Sequence, residues 1–345
     1  MSANLRHKRY YFFNQPLTEE EYKRKVRELN MGNRAVLESL KAEFSKIKSE
    51  AIYKENHNIR AIDCFGEYLT DSKNCYSCMF AVNSENLAYS AGSFKIRDSY
   101  DAFGGLDSSL AYESHAGIAC SGLKFSCHIK FSRDLEYCVL CNNCHNCFAC
   151  IGLRNKSFCI LNRQYGENEY WSKVDEIKIE MLRGKEYGEF FPPNLMPVPY
   201  NISIATSYKG YDDIETAKRY GYTVQDIIET VQGAGEEEVI DAEQVLSDIK
   251  DIKDDVLSKI IFDKESQKKF RYIKEELEFH RRYNLALPLE HPSVRLAQKR
   301  KMFGSLVLKL YKRDCTNCQK GIESIYPPGE PKNVYCEECY LKEVV

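Results

Sequence analysis

The chain has 345 residues, with 49 Lys/Arg against 51 Asp/Glu, a formal net charge of −2 and 29% charged residues. That length suits two or three compact units, and the charge balance excludes a polyelectrolyte that binds by bulk charge. No run of about 18 apolar residues marks a membrane-spanning helix, and fifteen cysteines without a secretory leader in MSANLRHKRYYFF point to thiols or metal ligands in a reducing, cytoplasmic setting.

Residues 10–26, YYFFNQPLTEEEYKRKV, recur without gaps at 158–174 as FCILNRQYGENEYWSKV, with identities at Asn14/Asn162, Glu19/Glu167, Glu21/Glu169, Tyr22/Tyr170, Lys25/Lys173 and Val26/Val174. Each copy reads as a hydrophobic strand, an Asn turn and a helix with an acid-rich first turn. Thr18 is the expected N-cap, with Glu21 at the capping-box position. The two copies are expected to close the two ends of the region between them. After the first, Leu37, Leu40, Phe44 and Ile47 predict an amphipathic helix packed on that region. Residues 1–62 form this N-terminal unit.

Within 63–162 an aromatic returns at steps of 13, 11, 12, 13, 12, 11 and 10: Tyr76, Tyr89, Tyr100, Tyr112, Phe125, Tyr137, Phe148 and Phe158. Two positions further on stand Cys78, Ala91, Ala102, Ser114, Cys127, Val139, Cys150 and Ile160, mostly small and uncharged, as a narrow lumen requires. Two positions before them, Asn74, Asp98 and Asn146 alternate with Leu87, Leu110 and Leu135, so the period reads as about 24. Strands rich in Tyr, Phe, Ser and Cys favour β over helix. The expected fold is mainly β with α additions: a right-handed β-solenoid of about four turns with strand–helix caps.

The stretch CVLCNNCHNCFAC, 138–150, carries five cysteines three apart. Because Ala and Ser share the column of Cys78, Cys127 and Cys150, cysteine reads there as a small buried hydrophobe. A second metal site on Cys138, Cys141, Cys144, His145 and Cys147 is the alternative. An iron–sulfur cluster is disfavoured, since the C-x3-C-P ending of ferredoxin motifs is missing. In a plain strand, moreover, residues three apart face opposite ways.

Residues 163–263 read as a second cap helix and a connector. FFPPNLMPVPYNISIATSYKGYD, 190–212, holds four of the ten prolines and predicts an irregular loop. TAKRYGYTVQDIIETV predicts a short helix, a Gly break and a second helix. Residues 236–255 carry nine acids against two lysines, with Ile249, Ile252, Val256, Ile260 and Ile261 as an apolar stripe; the charge run reads as a solvated face.

The last unit, 264–345, holds the most specific chemistry. Cys315-x2-Cys318, seventeen residues, then Cys336-x2-Cys339 is the spacing of a zinc ribbon. Each C-x2-C knuckle turns two thiolates towards one ion, and four thiolates leave no open position, so one structural zinc is expected. Before it, residues 264–313 contain fourteen Lys/Arg against five Asp/Glu, a net of +9. Arg281, Arg282, Lys299, Arg300, Lys301, Lys312 and Arg313 are candidate phosphate contacts, with Phe270, Tyr272 and Tyr283 as stacking groups. The competing reading pairs this basic segment with the acids of 236–255.

Through NCFACIGLRNKSFCILNRQYGENEY, IKDIKDDVLSKII, FRYIKEELEFHRRYNLALPLEHPSVR and IYPPGEPKNVYCEECYLKEV, the chain resembles a zinc-ribbon protein family of small-genome bacteria over most of 130–345. Many members of that family carry a further zinc knuckle around the F-x-I…EL-x-F-x-R-x-x-N-x-x-L-P motif. Here its positions read FDKESQKKFRYI and LEHPSVRL, without cysteine, so the resemblance implies the terminal metal alone, and no enzymatic activity.

No Walker, dinucleotide-binding, H-E-x-x-H or G-x-S-x-G motif occurs. The sequence therefore points to a non-enzymatic zinc-binding scaffold or adaptor that contacts RNA, DNA or a nucleoprotein through 264–313. The alternatives are a protein–protein adaptor and a metal–sulfur redox protein centred on 138–150.

Overall fold

The computed structural model describes every residue except 197, 208–210, 212, 227–237, 303–307 and 345, and only the backbone of 204, 207 and 300–302. Strands β1 (Tyr11–Phe12) and β2 (Gln15–Pro16) form a hairpin leading into α1 (Glu19–Glu28). Thr18 and Glu21 exchange the expected capping-box hydrogen bonds. Helix α2 (Arg34–Glu50) and β3 (Ile52–Lys54) follow. Only Leu40 of the α2 stripe is buried. The helix start is tied to the turn at 245–247, where the Arg34 amide meets the Ser247 carbonyl at 2.9 Å and its guanidinium the Val245 carbonyl at 3.2 Å.

The β-solenoid is present. Strands β4 (Phe65–Thr70), β5 (Lys73–Val82), β6 (Glu85–Ala88), β7 (Ala91–His115), β8 (Ser121–Cys127), β9 (Arg133–Glu136), β10 (His145–Phe148), β11 (Ser157–Ile160) and β12 (Arg163–Gln164) form one sheet in chain order. Pairing is parallel up to β11, and the partners Glu85↔Arg97, Leu123↔Leu135 and Cys147↔Cys159 stand one coil of twelve apart. The solenoid has about eight turns, not four. The doubled period has a physical source. Tyr76, Tyr100 and Tyr112 stand just before a corner, whereas Tyr89, Phe125 and Tyr137 occupy the corner itself. Rings from the two positions touch, Tyr76 on Tyr89 and Tyr112 on Phe125, and irregular switches between the positions imitate a longer repeat.

Each coil has four sides of three residues. Tyr68, Asp71, Asn74, Ser77, Phe80, Asn83, Asn86 and Tyr89 all have φ between +51° and +56°, and the pattern continues to Phe158. A left-handed residue every third position turns the chain through a corner, so residues three apart all face inward. The alternation of a plain strand does not apply. Asn and Asp suit these corners because they tolerate φ > 0, and their side chains stack: Asn74 donates to Asn86 at 3.1 Å and Asn86 to Asp98 at 2.7 Å.

The lumen is filled by every third side chain. One column runs Ser72, Ser84, Ile96, Ser108, Cys120, Ser132, Cys144; another runs Cys78, Ser90, Ala102, Ser114, Ser126, Cys138, Cys150. Several lumen serines are satisfied twice, whereas Ser93 Oγ is buried without a partner among the described residues. Ser132 Oγ donates to the Lys130 carbonyl at 2.7 Å and accepts the Cys144 amide, one coil on, at 3.0 Å. Cysteine repeats the first contact, since Cys144 Sγ reaches the Asn142 carbonyl at 3.3 Å.

Helix α3 (Glu167–Gly184) buries Tyr170 and Val174 against Phe125, Tyr137, Phe148 and Ile160, capping the far end as expected. At the other end the expectation fails: among the described residues β1 pairs only with β2, and no α1 residue is buried. Short 3-10 turns occur at Pro193–Leu195, Tyr200–Ile202 and Ile204–Ser207, and α4 (Ile214–Arg219) is the expected short helix. Most of the second one falls on 227–237, outside the described residues.

Strands β13 (Val239–Asp241), β14 (Ile260–Asp263) and β15 (Lys268–Phe270) form a small sheet, followed by α5 (Lys274–Arg282) and α6 (Pro292–Met302). Ile249, Ile252, Val256 and Ile261 are buried here with Phe270, Tyr272, Leu277 and Leu287. The acidic stretch therefore covers a core. Strands β16 (Tyr311–Asp314), β17 (Gly321–Ser324) and β18 (Asn333–Tyr335) and helix α7 (Glu337–Val344) complete the chain.

Candidate metal centre and its attachment to the solenoid

The first knuckle follows β16. The Cys315 amide bonds the Lys320 carbonyl at 2.8 Å, and the Gln319 amide bonds the Cys315 carbonyl at 2.9 Å, with Gln319 itself left-handed at φ 61°. The second knuckle opens α7, with Cys336 just before the helix and Cys339 in its first turn. The helix N-terminus favours negative charge on these two sulfurs.

The four sulfurs of Cys315, Cys318, Cys336 and Cys339 all lie within 4.8 Å of one another. Thiolates about 2.3 Å from a shared tetrahedral ion stand about 3.8 Å apart; Cys318 and Cys336 Sγ are separated by 3.8 Å. Burial opposes ionisation of Cys315, but the amides of Cys318, Cys336 and Asn317 pull its thiol down to about 6. The set fits a closed four-sulfur metal site. Only Cys318 is exposed.

The ribbon is tied at two places. Arg313 spans the PPGEP turn, donating to the Tyr326 and Pro327 carbonyls at 3.3 and 3.4 Å and to the Lys332 carbonyl at 3.1 Å. Strand β18 pairs in parallel with β3, far away in sequence, in the register Asn333↔Ile52 to Tyr335↔Lys54. Lys54 meets Glu337 at 2.6 Å, and the Glu337 amide bonds Glu55 at 3.0 Å. From there the contacts pass into the first coil. Tyr326 packs on Tyr53, and His57 stacks on Tyr68, which stacks on Phe80. The metal knuckle thus sits where the C-terminus grips the entrance to the solenoid. Its long-range strand partner carries no sequence signal.

The other expected site residues fare differently. Cys138, Cys141, Cys144 and Cys147 all face the lumen and are at most 2% exposed. Hydrogen bonds with the Cys141 and Cys150 thiols, together with burial, push the Cys138 thiol well up. Among the described residues, the only group of three or more His, Cys, Asp or Glu with ligand atoms that close is the C-terminal four. The 138–147 sulfurs line successive sides of a coil and form no comparable cluster.

In the basic segment, Phe270 and Tyr272 are core residues, 5% and 2% exposed, and so do not serve as stacking groups. Arg281 is bound to Asp254 at 2.6 Å and to the Ile252 carbonyl at 2.7 Å. Lys264 meets Asp241 at 3.0 Å and Glu243 at 3.7 Å. Arg313 is committed to the ribbon turn. Arg282 lies over the Tyr283 ring, and Lys299 and Lys312 are exposed. The side chains of Arg300 and Lys301 lie outside the described residues.

One feature escaped the sequence reading. A cavity of about 980 Å³ opens between the solenoid face and Met196, Val198, Ile202, Ser203, Ala205 and Tyr211. Its lining is mostly apolar, with Asp101, His115 and His128 among its polar groups. The two imidazoles stand on successive coils with ring centres 5.0 Å apart. Its walls come from distant parts of the chain, which no local pattern reveals.

No known family model matches this chain, and no curated protein matches it. Among the described residues no helix is long and apolar enough to cross a membrane.

Proposed function

We propose that the protein is a non-enzymatic adaptor in which one structural zinc ion, held by Cys315, Cys318, Cys336 and Cys339, locks the C-terminal ribbon onto the entrance of a β-solenoid. The carrying observation is the β18–β3 pairing directly before Cys336, which places a closed four-thiol site at a junction of chain segments. A site with four thiolates has no position for substrate, so its contribution is to folding. Fifteen free cysteines accord with a reducing, cytoplasmic setting. The resemblance to the zinc-ribbon family goes with the same reading.

Between the two adaptor readings, the ion pairs of Lys264 with Asp241 and Glu243, and of Arg281 with Asp254, favour a protein partner over nucleic acid. They occupy cations that phosphate contact would need. Elemental analysis of purified protein should find about one zinc per chain and no iron. Titration with RNA and DNA at rising salt should find no steep salt dependence. A steep inverse slope would instead return the nucleic-acid reading.

A further inference from the structure

The cavity over the solenoid face is built from positions that the twelve-residue coil brings together. Ser77, Tyr89 and Asp101 follow one another along one corner, with φ between +51° and +54°. Met79, Ala91, Phe103 and His115 form a neighbouring column, in which Met79 pairs with Ala91. Ala91 is small between a thioether and a ring, so the column is notched there. Phe103 stacks on His115 with ring centres 5.4 Å apart, and His115 meets His128 edge-on. Across the cavity, Met196, Val198 and Ile202 supply apolar walls. A volume of about 980 Å³ is large enough to enclose most of a drug-sized molecule.

The polar side chains on this wall differ in what the protein asks of them. Ser90 Oγ is committed, donating to the Ala88 carbonyl at 3.0 Å and accepting the Ala102 amide at 3.3 Å. The side chains of Asp101, His115 and His128 have no hydrogen bond or ion pair among the described residues. The charge is one-sided as well. The described lining holds no Lys or Arg, and Asp101 is its only acid. Burial, and then His128 beside it, hold the His115 imidazole below its usual value, so it is uncharged at neutral pH. One coil on, burial and the neighbouring Asp101 push the Glu113 carboxyl up, and Glu189 adds to the effect. Among the described residues none of these three acids has an ion pair. Carboxylates that oppose one another's ionisation mark a region of uncompensated negative potential.

We propose that this cavity binds a small organic cation, with an apolar body in the enclosed space and an ammonium group paired with Asp101. Tyr89, one coil before Asp101, and Phe103, two residues after it, put ring faces near that charge, where a cation gains further attraction. The neutral His115 offers a ring nitrogen to a polar atom of the ligand. The same carboxylates repel an anion. A neutral ligand fills the apolar space but leaves Asp101 partly desolvated without a partner, which costs affinity. The site shares no residue with the four-thiol centre, so it goes beyond the adaptor reading and does not depend on it.

The test titrates the full chain with dyes that share one fluorescent body: dansylcadaverine, a cation at neutral pH, dansylamide, which is neutral, and dansylglycine, an anion. The cation should bind tightest, with enhanced and blue-shifted emission. Asp101→Asn should weaken it by roughly tenfold or more, the worth of a charge-assisted hydrogen bond, and leave dansylamide unchanged. Asn tolerates the left-handed backbone of this position, so the melting temperature should hold within about 2 °C. Ala91→Phe places in the notch the ring that Phe103 carries one coil on, and should weaken all the dyes. In the parent chain, bound dansylcadaverine should also slow modification of His115 and His128 by diethyl pyrocarbonate, read by peptide mass spectrometry. Equal affinities for the dyes, preference for the anion, no binding, binding that neither variant moves, or unchanged histidine modification would each overturn the proposal. Zinc content is untouched by these measurements, so the adaptor reading stands or falls separately.

Discussion

His57 turns its ring Nδ1 onto the carboxylate of Glu67, a side chain with no exposed surface, while the His57 amide reaches the other oxygen at 3.4 Å. The pair lies between β3 and the first coil. Removing the imidazole leaves the buried Glu67 carboxyl without its side-chain hydrogen-bond partner, at a cost of about 1–3 kcal/mol. His57→Ala should therefore destabilise the chain, and Glu67→Gln less, in urea melts. A double variant should recover part of the loss. Equal, additive losses would show that the two groups do not act together.

Metal removal should loosen the solenoid entrance as well as the ribbon. Zinc binding in such peptides is worth on the order of 10–16 kcal/mol, and among the described residues β18 is the only strand paired with β3. Chelation, or Cys336→Ser, should expose the amides of 52–54 to hydrogen exchange while those of 121–148 stay protected. Unchanged protection at 52–54 would separate the metal from the junction.

Glu136 supplies a pH signature. Burial works against its charge, but Lys178 at 2.8 Å, Lys124 at 3.4 Å and the Tyr187 hydroxyl at 3.0 Å hold it below the usual carboxylate range. A lowered folded value stabilises the fold above the unfolded value of about 4.3. That contribution is lost as pH falls through the folded value. Glu136→Gln should thus be less stable than the parent at pH 7, and the gap should close on acidification.

Lumen cysteines should behave as serines of slightly different size. Cys144→Ser should change stability by less than about 1 kcal/mol, because Ser132 fills the same column with the same carbonyl contact. Cys144→Val should cost about 1–3 kcal/mol by overpacking. Bound iron lost with Cys144→Ser would reverse this reading.

Corner residues should respond to backbone chemistry. Leu140 is 57% exposed with φ at 57°. Leu140→Gly should be neutral or stabilising by up to about 1 kcal/mol, and Leu140→Val should destabilise by roughly 1–2 kcal/mol, as thermal melts can read.

Much of this was written in local pattern. The aromatic spacing disclosed a solenoid, and the C-x2-C pairs disclosed the four-thiol cluster, because both depend on near neighbours. The coil length was obscured because Tyr76 and Tyr89 stand at adjacent positions of successive coils. The inward turn of all five cysteines in 138–150 was hidden by left-handed corners at Leu140, Asn143, Asn146 and Ala149, of which only the two asparagines advertise that backbone. The β18–β3 pairing had no signal at all, since partners 281 apart share no motif.

A coil that closes every twelve residues also acts as a ruler. With strands about 4.8 Å apart, the eight turns hold the ribbon-bound entrance and the α3-covered exit at a separation fixed by the number of coils. Excising one whole coil between Ser84 and Ser132 should bring the ends one rung closer and leave both unchanged. Length in this molecule is counted in steps.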